Sequence, residues 1–315
     1  MDARALEWLR RRTTDAAEWP VERLLEIKRD RRISVVIPAR DEEATVADVV
    51  SMVRRELVEA VPLVDELIVM DSLSGDATAD RARSAGAATW SVASVLPQLG
   101  VRAGKGEALW KSLFVTTGDL LVFVDADLTE WGTHFVTGLV GPLLADADVH
   151  LVKGFYDRVL DSEHVVSVEG GRVTELVARP LLALHWPQLS GVVQPLAGEW
   201  AIRRTAAERL AFPVGYGVEM ATLLDVASTH GLDAVAQVDL GKRAHRHQNL
   251  HDLGAMATGI LAVAARRLDL DVAAVPAVLP RLDSTRQWEE RPVPMDERPA
   301  AISLPQYADR GAVDA

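Results

Sequence analysis

Leu120-Leu-Val-Phe-Val-Asp-Ala-Asp127 is the stretch on which the reading of this chain turns. Five apolar residues, Leu120 to Val124, run directly into two carboxylates spaced i, i+2. An apolar run this short with polar flanks is the pattern of a buried strand in a parallel sheet. A strand's period of two sends Asp125 and Asp127 to one side and Ala126 to the other. In open α/β sheets ligands sit at the carboxyl ends of the strands, which is where these acids fall. Two carboxylates there suit a Mg2+ or Mn2+ ion that keeps several waters and completes its shell from substrate phosphates. The spacing alone is equally compatible with Asp127 as a plain cap for the following helix.

The segments on either side support a sheet. Ile33-Ser-Val-Val-Ile-Pro38 reads as a strand that ends at Pro38, which cannot donate to a ladder. The acid-rich Asp41-Glu-Glu-Ala-Thr45 is the composition of a helix first turn, and predicts a helix running to about Glu59. Leu67-Ile-Val-Met-Asp71 is a second buried strand, followed by the turn Ser72-Leu-Ser-Gly-Asp76 and a helix over Ala77–Ala85. Further strands are expected at Thr89–Ala93, Val149–Phe155 and Ala234–Leu240, with helices at Lys105–Phe114, Gly138–Leu144 and Leu250–Leu268. Alternating strands and helices with polar groups at the strand ends predict an α/β, doubly wound, mostly parallel sheet of the nucleotide-binding kind. On this reading residues 1–31 are amphipathic helices outside the sheet and residues 32–150 bind the nucleotide. Residues 151–268 are expected to form the acceptor-binding part of the same domain. Asp157 to Gly170 is polar and aperiodic, the length of a mobile active-site loop. Residues 269–315, with prolines at 276, 280, 292, 294, 299 and 305, are expected to form an extended tail that reaches a neighbour.

Bulk properties narrow the function. The chain has 315 residues, 49% of them hydrophobic, enough for one large α/β domain with appendages. A net charge of −12 argues against a general nucleic-acid-binding face, so an anionic ligand must be met by local cations and backbone N–H groups. The absence of cysteine excludes disulfides, thiolate zinc sites and a cysteine nucleophile. Met1 to Arg10 has no apolar core for a signal peptide, and no uncharged run approaches the roughly 18 residues needed to span a bilayer. A cytoplasmic protein with no membrane partner is the expectation.

Several motifs compete for the chemistry. Gly100-Val-Arg-Ala-Gly104-Lys105-Gly106 has three intervening residues where a Walker loop has four, and Gly106 where Ser or Thr would meet Mg2+. Lys105, between two glycines at a helix start, could still contact a diphosphate. No Gly-x-Gly-x-x-Gly follows the first strand, which disfavours a dinucleotide oxidoreductase. Gly170-Gly-Arg-Val-Thr174 opens a helix with free N–H groups, and Arg172 and Thr174 add donors suited to an anion. His245, His247 and His251 invite a zinc reading, but one histidine joining Asp127 at a divalent ion is simpler. Gly-x-Ser-x-Gly is absent, and the serines of Asp71-Ser-Leu-Ser74 and Leu189-Ser-Gly191 suit turn hydrogen bonds better than nucleophilic roles. Trp110, Trp131, Trp186 and Trp200 are expected chiefly in the core.

Taken in order, Val35-Val-Ile-Pro-Ala-Arg-Asp-Glu-Glu43, Asp71-Ser-Leu-Ser-Gly-Asp76 and Val124-Asp-Ala-Asp127 resemble the donor-site motifs of GT-A glycosyltransferases. The fuller resemblance is to the glucosyl-3-phosphoglycerate and mannosyl-3-phosphoglycerate synthase family. It rests on Gly104-Lys-Gly-Glu-Ala-Leu-Trp110, Gly170-Gly-Arg-Val-Thr-Glu-Leu-Val-Ala-Arg-Pro-Leu-Leu182, Gln194-Pro-Leu-Ala-Gly-Glu199, Gly215-Tyr-Gly-Val-Glu219 and Ala244-His-Arg246. It spans about residues 32–257.

The resemblance implies a GT-A fold and a retaining, Mg2+- or Mn2+-dependent transfer of a hexose from a nucleotide sugar to the 2-hydroxyl of 3-phosphoglycerate. It implies that Pro38, Ala39, Asp41, Glu42 and Ser72 hold the nucleotide. Lys105, Asp125, Ala126, Tyr216 and Glu219 would meet the nucleotide sugar, and Asp127 and His245 the metal. Gly171, Arg172, Thr174 and His247 would hold the acceptor, and Asp127, Lys105 and Glu219 would carry the catalysis. A homodimer is the expected assembly. The sequence departs from the glucosyl members at Arg40-Asp41, Ala126 and His247; the first departure lies beside the expected base and ribose and leaves the donor open between UDP and GDP and between glucose and mannose. The rival enzyme, a sugar-1-phosphate nucleotidyltransferase, would want glycine, Arg and Lys after the first strand, where Ala39-Arg-Asp-Glu-Glu43 is acidic. A non-catalytic nucleotide-sugar-binding protein is the rival from another class.

Overall fold

The computed structural model describes residues 2–159, 166–167, 171–244, 250–271, 277–282 and 285–308. Its strands are β1 (Thr13–Asp15), β2 (Ile33–Ala39), β3 (Glu66–Asp71), β4 (Ala88–Ser91), β5 (Leu120–Phe123), β6 (Leu151–Val159) and β7 (Val166–Ser167). After these come β8 (Trp200–Arg203), β9 (Phe212–Pro213), β10 (Val235–Ala244), β11 (Ala277–Leu282), β12 (Trp288–Val293) and β13 (Glu297–Arg298). The helices are α1 (Ala3–Arg12), α2 (Val21–Lys28), α3 (Val46–Val53), α4 (Thr78–Ala85) and α5 (Lys105–Val115). They continue with α6 (His134–Ala145), α7 (Arg179–His185), α8 (Arg204–Ala207), α9 (Val218–His230) and α10 (Leu250–Arg267).

The main sheet runs in the order β1-β10-β6-β8-β5-β2-β3-β4, with β7 paired to β6. Strand β2 pairs in parallel with β3 and β5, and β10 pairs in parallel with β6 and β1. Successive residues of one strand enter opposite cores, as the strand period demands. Val35, Ile37, Leu120 and Val122 pack on one face, while Val36, Leu121, Phe123 and Trp200 pack on the other. Both faces are therefore sealed, which is why β5 reads as an unbroken apolar run and β2 as one broken only by the buried Ser34.

The departure from a parallel sheet is β8, which lies antiparallel to both β5 and β6. It was not anticipated, because four residues give little periodic signal and its partners lie far away in sequence. Its insertion has a consequence for the site. Phe123 is paired with Trp200, so the amino end of β8, with Gly198 and Glu199 before it, sits at the same edge as the carboxyl end of β5.

Other expectations need correction. The central strand stops at Phe123, with Asp125 in the irregular connection beyond it and Asp127 in the turn that follows. The helix after β2 begins at Val46, and Asp41 sits before it with φ of 56°. Part of the expected loop after Asp157 is strand: β6 continues to Val159 and pairs antiparallel with β7. Residues 160–165 and 168–170 of that loop lie outside the described residues. The N-terminal segment adds a strand, β1, to the sheet edge as well as its helices. The tail does not stand away from the domain: β11 and β12 form a hairpin, β13 pairs with β9, and Ala301 and Tyr307 are buried in the main core. Among the described residues, no helix is long and apolar enough to cross a membrane.

Candidate active site

The two loops expected to hold a nucleotide are stitched to each other at the carboxyl ends of β2 and β3. The Asp41 N–H donates to Ser74 Oγ (3.0 Å), and Gly75 N–H donates back to Asp41 Oδ1 (2.8 Å). Glu42 N–H donates to Thr78 Oγ1 (2.7 Å), Glu43 N–H to Asp76 Oδ2 (3.1 Å), and Ala77 N–H to Glu43 Oε2 (3.1 Å). Ser72 N–H closes the seam on the Ala39 carbonyl (2.8 Å). Asp41 and Leu73 both adopt positive φ, at 56° and 62°, a conformation that costs about 1–2 kcal/mol for residues with a Cβ. The cross-loop hydrogen bonds offset it, and such strain gathers at ligand sites. Thus Pro38, Ala39, Asp41, Glu42 and Ser72 share one edge, with Asp41 exposed and Ala39 buried.

Beside this seam lies a relay of charges. Lys105, the first residue of α5, places its Nζ 2.6 Å from Asp125 Oδ1 and 3.0 Å from Glu219 Oε1. Arg243, near the end of β10, donates to Glu199 Oε1 (2.8 Å), Tyr156 Oη (2.7 Å) and Asp127 Oδ1 (2.7 Å), and its Nη2 lies 3.5 Å from Asp125 Oδ2. Burial works against the Lys105 charge, but Asp125 and Glu219 outweigh it and keep the ammonium more basic than usual. Burial would likewise raise the Asp125 carboxyl; Lys105 and Arg243 instead hold it well below the usual carboxylate range. Glu199 goes the other way, pushed up by burial although Arg243 pulls it down. Lys153, on β6 and 1% exposed, donates to the Ala197 carbonyl (2.8 Å), and burial pushes its ammonium down to about 8.

Backbone proximity explains the glycines around these groups. A Cβ on Gly104 or Gly106 would run into the Val214 or Pro213 carbonyl oxygen, so both glycines serve to seat the start of α5 on the segment leading to Glu219. A Cβ on Gly198 would overlap the Asp125 carboxylate itself.

Of the residues singled out in the sequence, the structure brings Lys105, Asp125, Asp127 and Glu219 together. Ala126 packs its methyl into the core with Val124 and Leu128, and Tyr216 is 51% exposed on the loop before Glu219. Gly171 and Arg172 start the helical segment that becomes α7; Arg172 is exposed and Thr174 is 3% exposed. Residues Thr174–Ala178 form a π-helical turn, placed where Pro180 cannot supply the N–H that an α-helix would give to Leu176. His245 and His247 lie outside the described residues, as does the side chain of His251. Trp110 and Trp200 are fully buried, in keeping with core roles.

Three members of the relay were not singled out from sequence. Lys153 and Glu199 carried a signal, since each interrupts an otherwise apolar run that becomes a buried strand or its entry. Arg243 was hidden within the basic run Gly241-Lys-Arg-Ala-His, which reads as solvated. In the structure Gly241, at φ of 78°, marks a register shift in β10, and Arg243 turns inward to 2% exposure.

This geometry has counterparts. The family Glycosyl transferase family 2 matches residues 34–168, which cover β2 through β7. The glucosyl-3-phosphoglycerate synthase of Petrotoga mobilis is 41% identical over 295 residues, 91% of this chain and 91% of the relative. That of Mycobacterium tuberculosis is 49% identical over 253 residues, 79% of this chain and 77% of the relative. A crystal structure of the M. tuberculosis enzyme with Mn2+, uridine-diphosphate-glucose and phosphoglyceric acid superposes with a TM-score of 0.81 at 44% identity, over 90% of this chain and 95% of that one. With a shared fold and sequence likeness along nearly its whole length, the chain is a glycosyltransferase and belongs to the glucosyl-3-phosphoglycerate synthase family.

Proposed function

We propose that this protein transfers the glucosyl group of UDP-glucose to the 2-hydroxyl of 3-phosphoglycerate with retention of configuration. The observation that carries the reading is the relay in which Lys105 joins Asp125 to Glu219 beside Asp127, at the edge where β2 and β5 end. For the donor, the names of the relatives and the UDP-glucose in the solved mycobacterial structure favour UDP and glucose over the GDP and mannose that the sequence left open.

The residues present fit a Mg2+ or Mn2+ ion. Asp125, Asp127, Glu199 and Glu219 gather around three cations, Lys105, Lys153 and Arg243, and among the described residues Asp127 meets them through Oδ1 alone, on Arg243. Asp127, with its side chain 28% exposed, is the most open of the four. Asp127 would hold the ion together with His245. When bound, it supplies positive charge against the departing diphosphate.

The protein's own groups do the rest. Lys105 keeps its charge and adds a second cation for the donor. The acceptor hydroxyl attacks C1 of glucose on the face from which UDP departs. The bond from C1 to the glycerate oxygen forms, the bond from C1 to the diphosphate breaks, and the hydroxyl proton passes to the departing diphosphate oxygen. Glu219 is held by Lys105, which suits it to fixing the sugar rather than to attacking it from the far face. On the acceptor side, the N–H groups following Gly171, with Arg172 and Thr174, would take the phosphate of phosphoglycerate. The homodimer belongs to the same proposal; Leu176 and Leu184, 76% and 75% exposed, are candidates for its contact.

The test is product formation from 3-phosphoglycerate and Mg2+ with UDP- and GDP-linked glucose and mannose. Product chiefly from UDP-glucose is expected; no product from any of the four, with the donor bound, would overturn the acceptor assignment. Two variants probe the halves of the site. Arg172→Ala should raise the KM for phosphoglycerate by about tenfold to a hundredfold and leave kcat within a few fold, the loss of one charged hydrogen bond. Gly198→Ala should displace Asp125 from Lys105 and lower kcat at least about tenfold. Kinetics of Gly198→Ala matching the unsubstituted enzyme would mean that Asp125 can move without cost.

A further inference from the structure

We propose that Arg298, in the C-terminal tail, is a positioning residue that fixes the backbone carrying Lys105 and Glu219. Its effect on catalysis rests on the reading above, in which those two side chains face the donor sugar. Arg298 is 5% exposed and donates through all three guanidinium nitrogens. Nε donates to Glu107 Oε2 (2.7 Å) and Nη2 to Glu107 Oε1 (2.7 Å), while Nη1 and Nη2 donate to the carbonyls of Leu99 (3.0 Å) and Gly100 (3.1 Å). Glu107 is fully buried, two residues after Lys105 in the first turn of α5. The Leu99 and Gly100 carbonyls belong to the loop that leads into that turn.

The same tail segment grips the other side. Strand β13 pairs with β9, Arg298 opposite Phe212 and Glu297 opposite Pro213, and Val214 N–H donates to the Asp296 carbonyl (3.0 Å). Val214 in turn accepts from Glu107 N–H (3.1 Å), and Gly104 and Gly106 lie against this backbone. A closed ring results: tail, first turn of α5, the Pro213–Gly217 approach to Glu219, and the tail again. Lys105 and Glu219 project from two arcs of that ring and meet at 3.0 Å. Lys111, also buried, braces it through the Val92 carbonyl (2.6 Å), the Gly100 carbonyl (3.0 Å) and Glu107 Oε1 (3.4 Å).

The rest of the tail is anchored independently of Arg298. Trp110 Nε1 donates to the Pro299 carbonyl (2.8 Å), and Tyr307 donates to Glu208 Oε2 (2.9 Å) while packing edge-on to Phe114. Loss of the guanidinium therefore loosens the ring without releasing the segment. A buried pair serving stability alone would weaken donor handling and acceptor handling together; a positioning residue affects the donor-sugar side selectively.

The experiment compares the unsubstituted enzyme with Arg298→Gln, Arg298→Lys and Glu107→Gln by amide hydrogen exchange and by calorimetric binding of UDP and UDP-glucose with Mn2+. Arg298→Gln and Glu107→Gln should speed exchange across residues 99–106 and 213–219 and leave residues 34–39 unchanged. Both should weaken UDP-glucose at least about tenfold while UDP and the KM for phosphoglycerate stay within about twofold, and Arg298→Lys should recover part of the loss. Unchanged exchange at 99–106, an equal loss in all ligands, or failure of both neutral variants to fold would each overturn the positioning role. The exchange measurement needs no substrate. If the unsubstituted enzyme makes no product, the proposed reaction fails while exchange still decides the role of Arg298.

Discussion

Asp127→Asn is expected to lower kcat about a hundredfold to a thousandfold while the protein stays folded, the scale of losing a central electrostatic group in a transfer reaction. Asn preserves the shape of the side chain and can still accept from Arg243, now at 2.7 Å from Asp127 Oδ1. Arg243 also keeps Glu199 and Tyr156, so little stability is at stake. What disappears is the negative charge that would hold a divalent ion against the diphosphate. Steady-state kinetics at saturating Mn2+ should therefore show a kcat effect that added metal does not rescue. Direct titration of Mn2+ in the presence of UDP should show weakened binding. Turnover within tenfold of the unsubstituted enzyme would remove Asp127 from the metal site.

The contrast with Asp125 sharpens this expectation. Both acids approach the same Arg243 nitrogen, at 2.7 Å and 3.5 Å, so they do face one side as their spacing predicted. The reason differs, because the strand ends at Phe123 and a turn, not a pleat, aims them. Asp125 is committed: Lys105 lies 2.6 Å away, Arg243 on the other side, and Gly198 behind it leaves no room for a Cβ. Among the described residues Asp127 pairs with Arg243 alone, through Oδ1. On the proposed reading the two carboxylates would divide the work, Asp125 positioning Lys105 and Asp127 accepting the divalent ion.

Apolar runs made much of this fold legible. Strands β2, β3 and β5 are buried on both faces, so they read as apolar runs, broken within β2 by the small Ser34 and bounded in β3 by Glu66 and Asp71. Legibility failed where a residue's role depends on distant partners. Strand β8 is short, and nothing local announces that it will run antiparallel between β5 and β6. The acids at 41–43 look like a helix start, but they bond to the loop at 74–77, a pairing set by strand adjacency. Arg298 reads as one charge among many in a proline-rich tail, and only the tertiary fold puts it on Glu107. Lys105, Asp125, Asp127 and Glu219 could be singled out because each sits at a strand end or helix start with a local signature. Arg243 had no such signature.

Arg243→Met should be the most damaging single change for stability in the site, lowering the unfolding free energy by about 3–5 kcal/mol. The guanidinium is 2% exposed and its fork spans Glu199, Tyr156, Asp127 and Asp125. Methionine fills much of the volume but leaves Glu199, fully buried, without its cation. Glu199 Oε2 already lacks a hydrogen-bond partner among the described residues, so its charge depends on Arg243 more than on any donor to that oxygen. The cost should therefore fall mainly on Glu199, and a second change tests this. In the Glu199→Gln background, Arg243→Met should cost at least about 1 kcal/mol less, because the buried group left behind is neutral. Urea denaturation of the four proteins measures the coupling directly. Additive effects would mean that Glu199 is already protonated in the folded enzyme, the direction in which burial pushes it, and that Arg243 serves the two aspartates alone. Strong coupling would instead make Arg243 the shared counter-ion of the whole cluster, tying the stability of the sheet edge to the charge balance of the site.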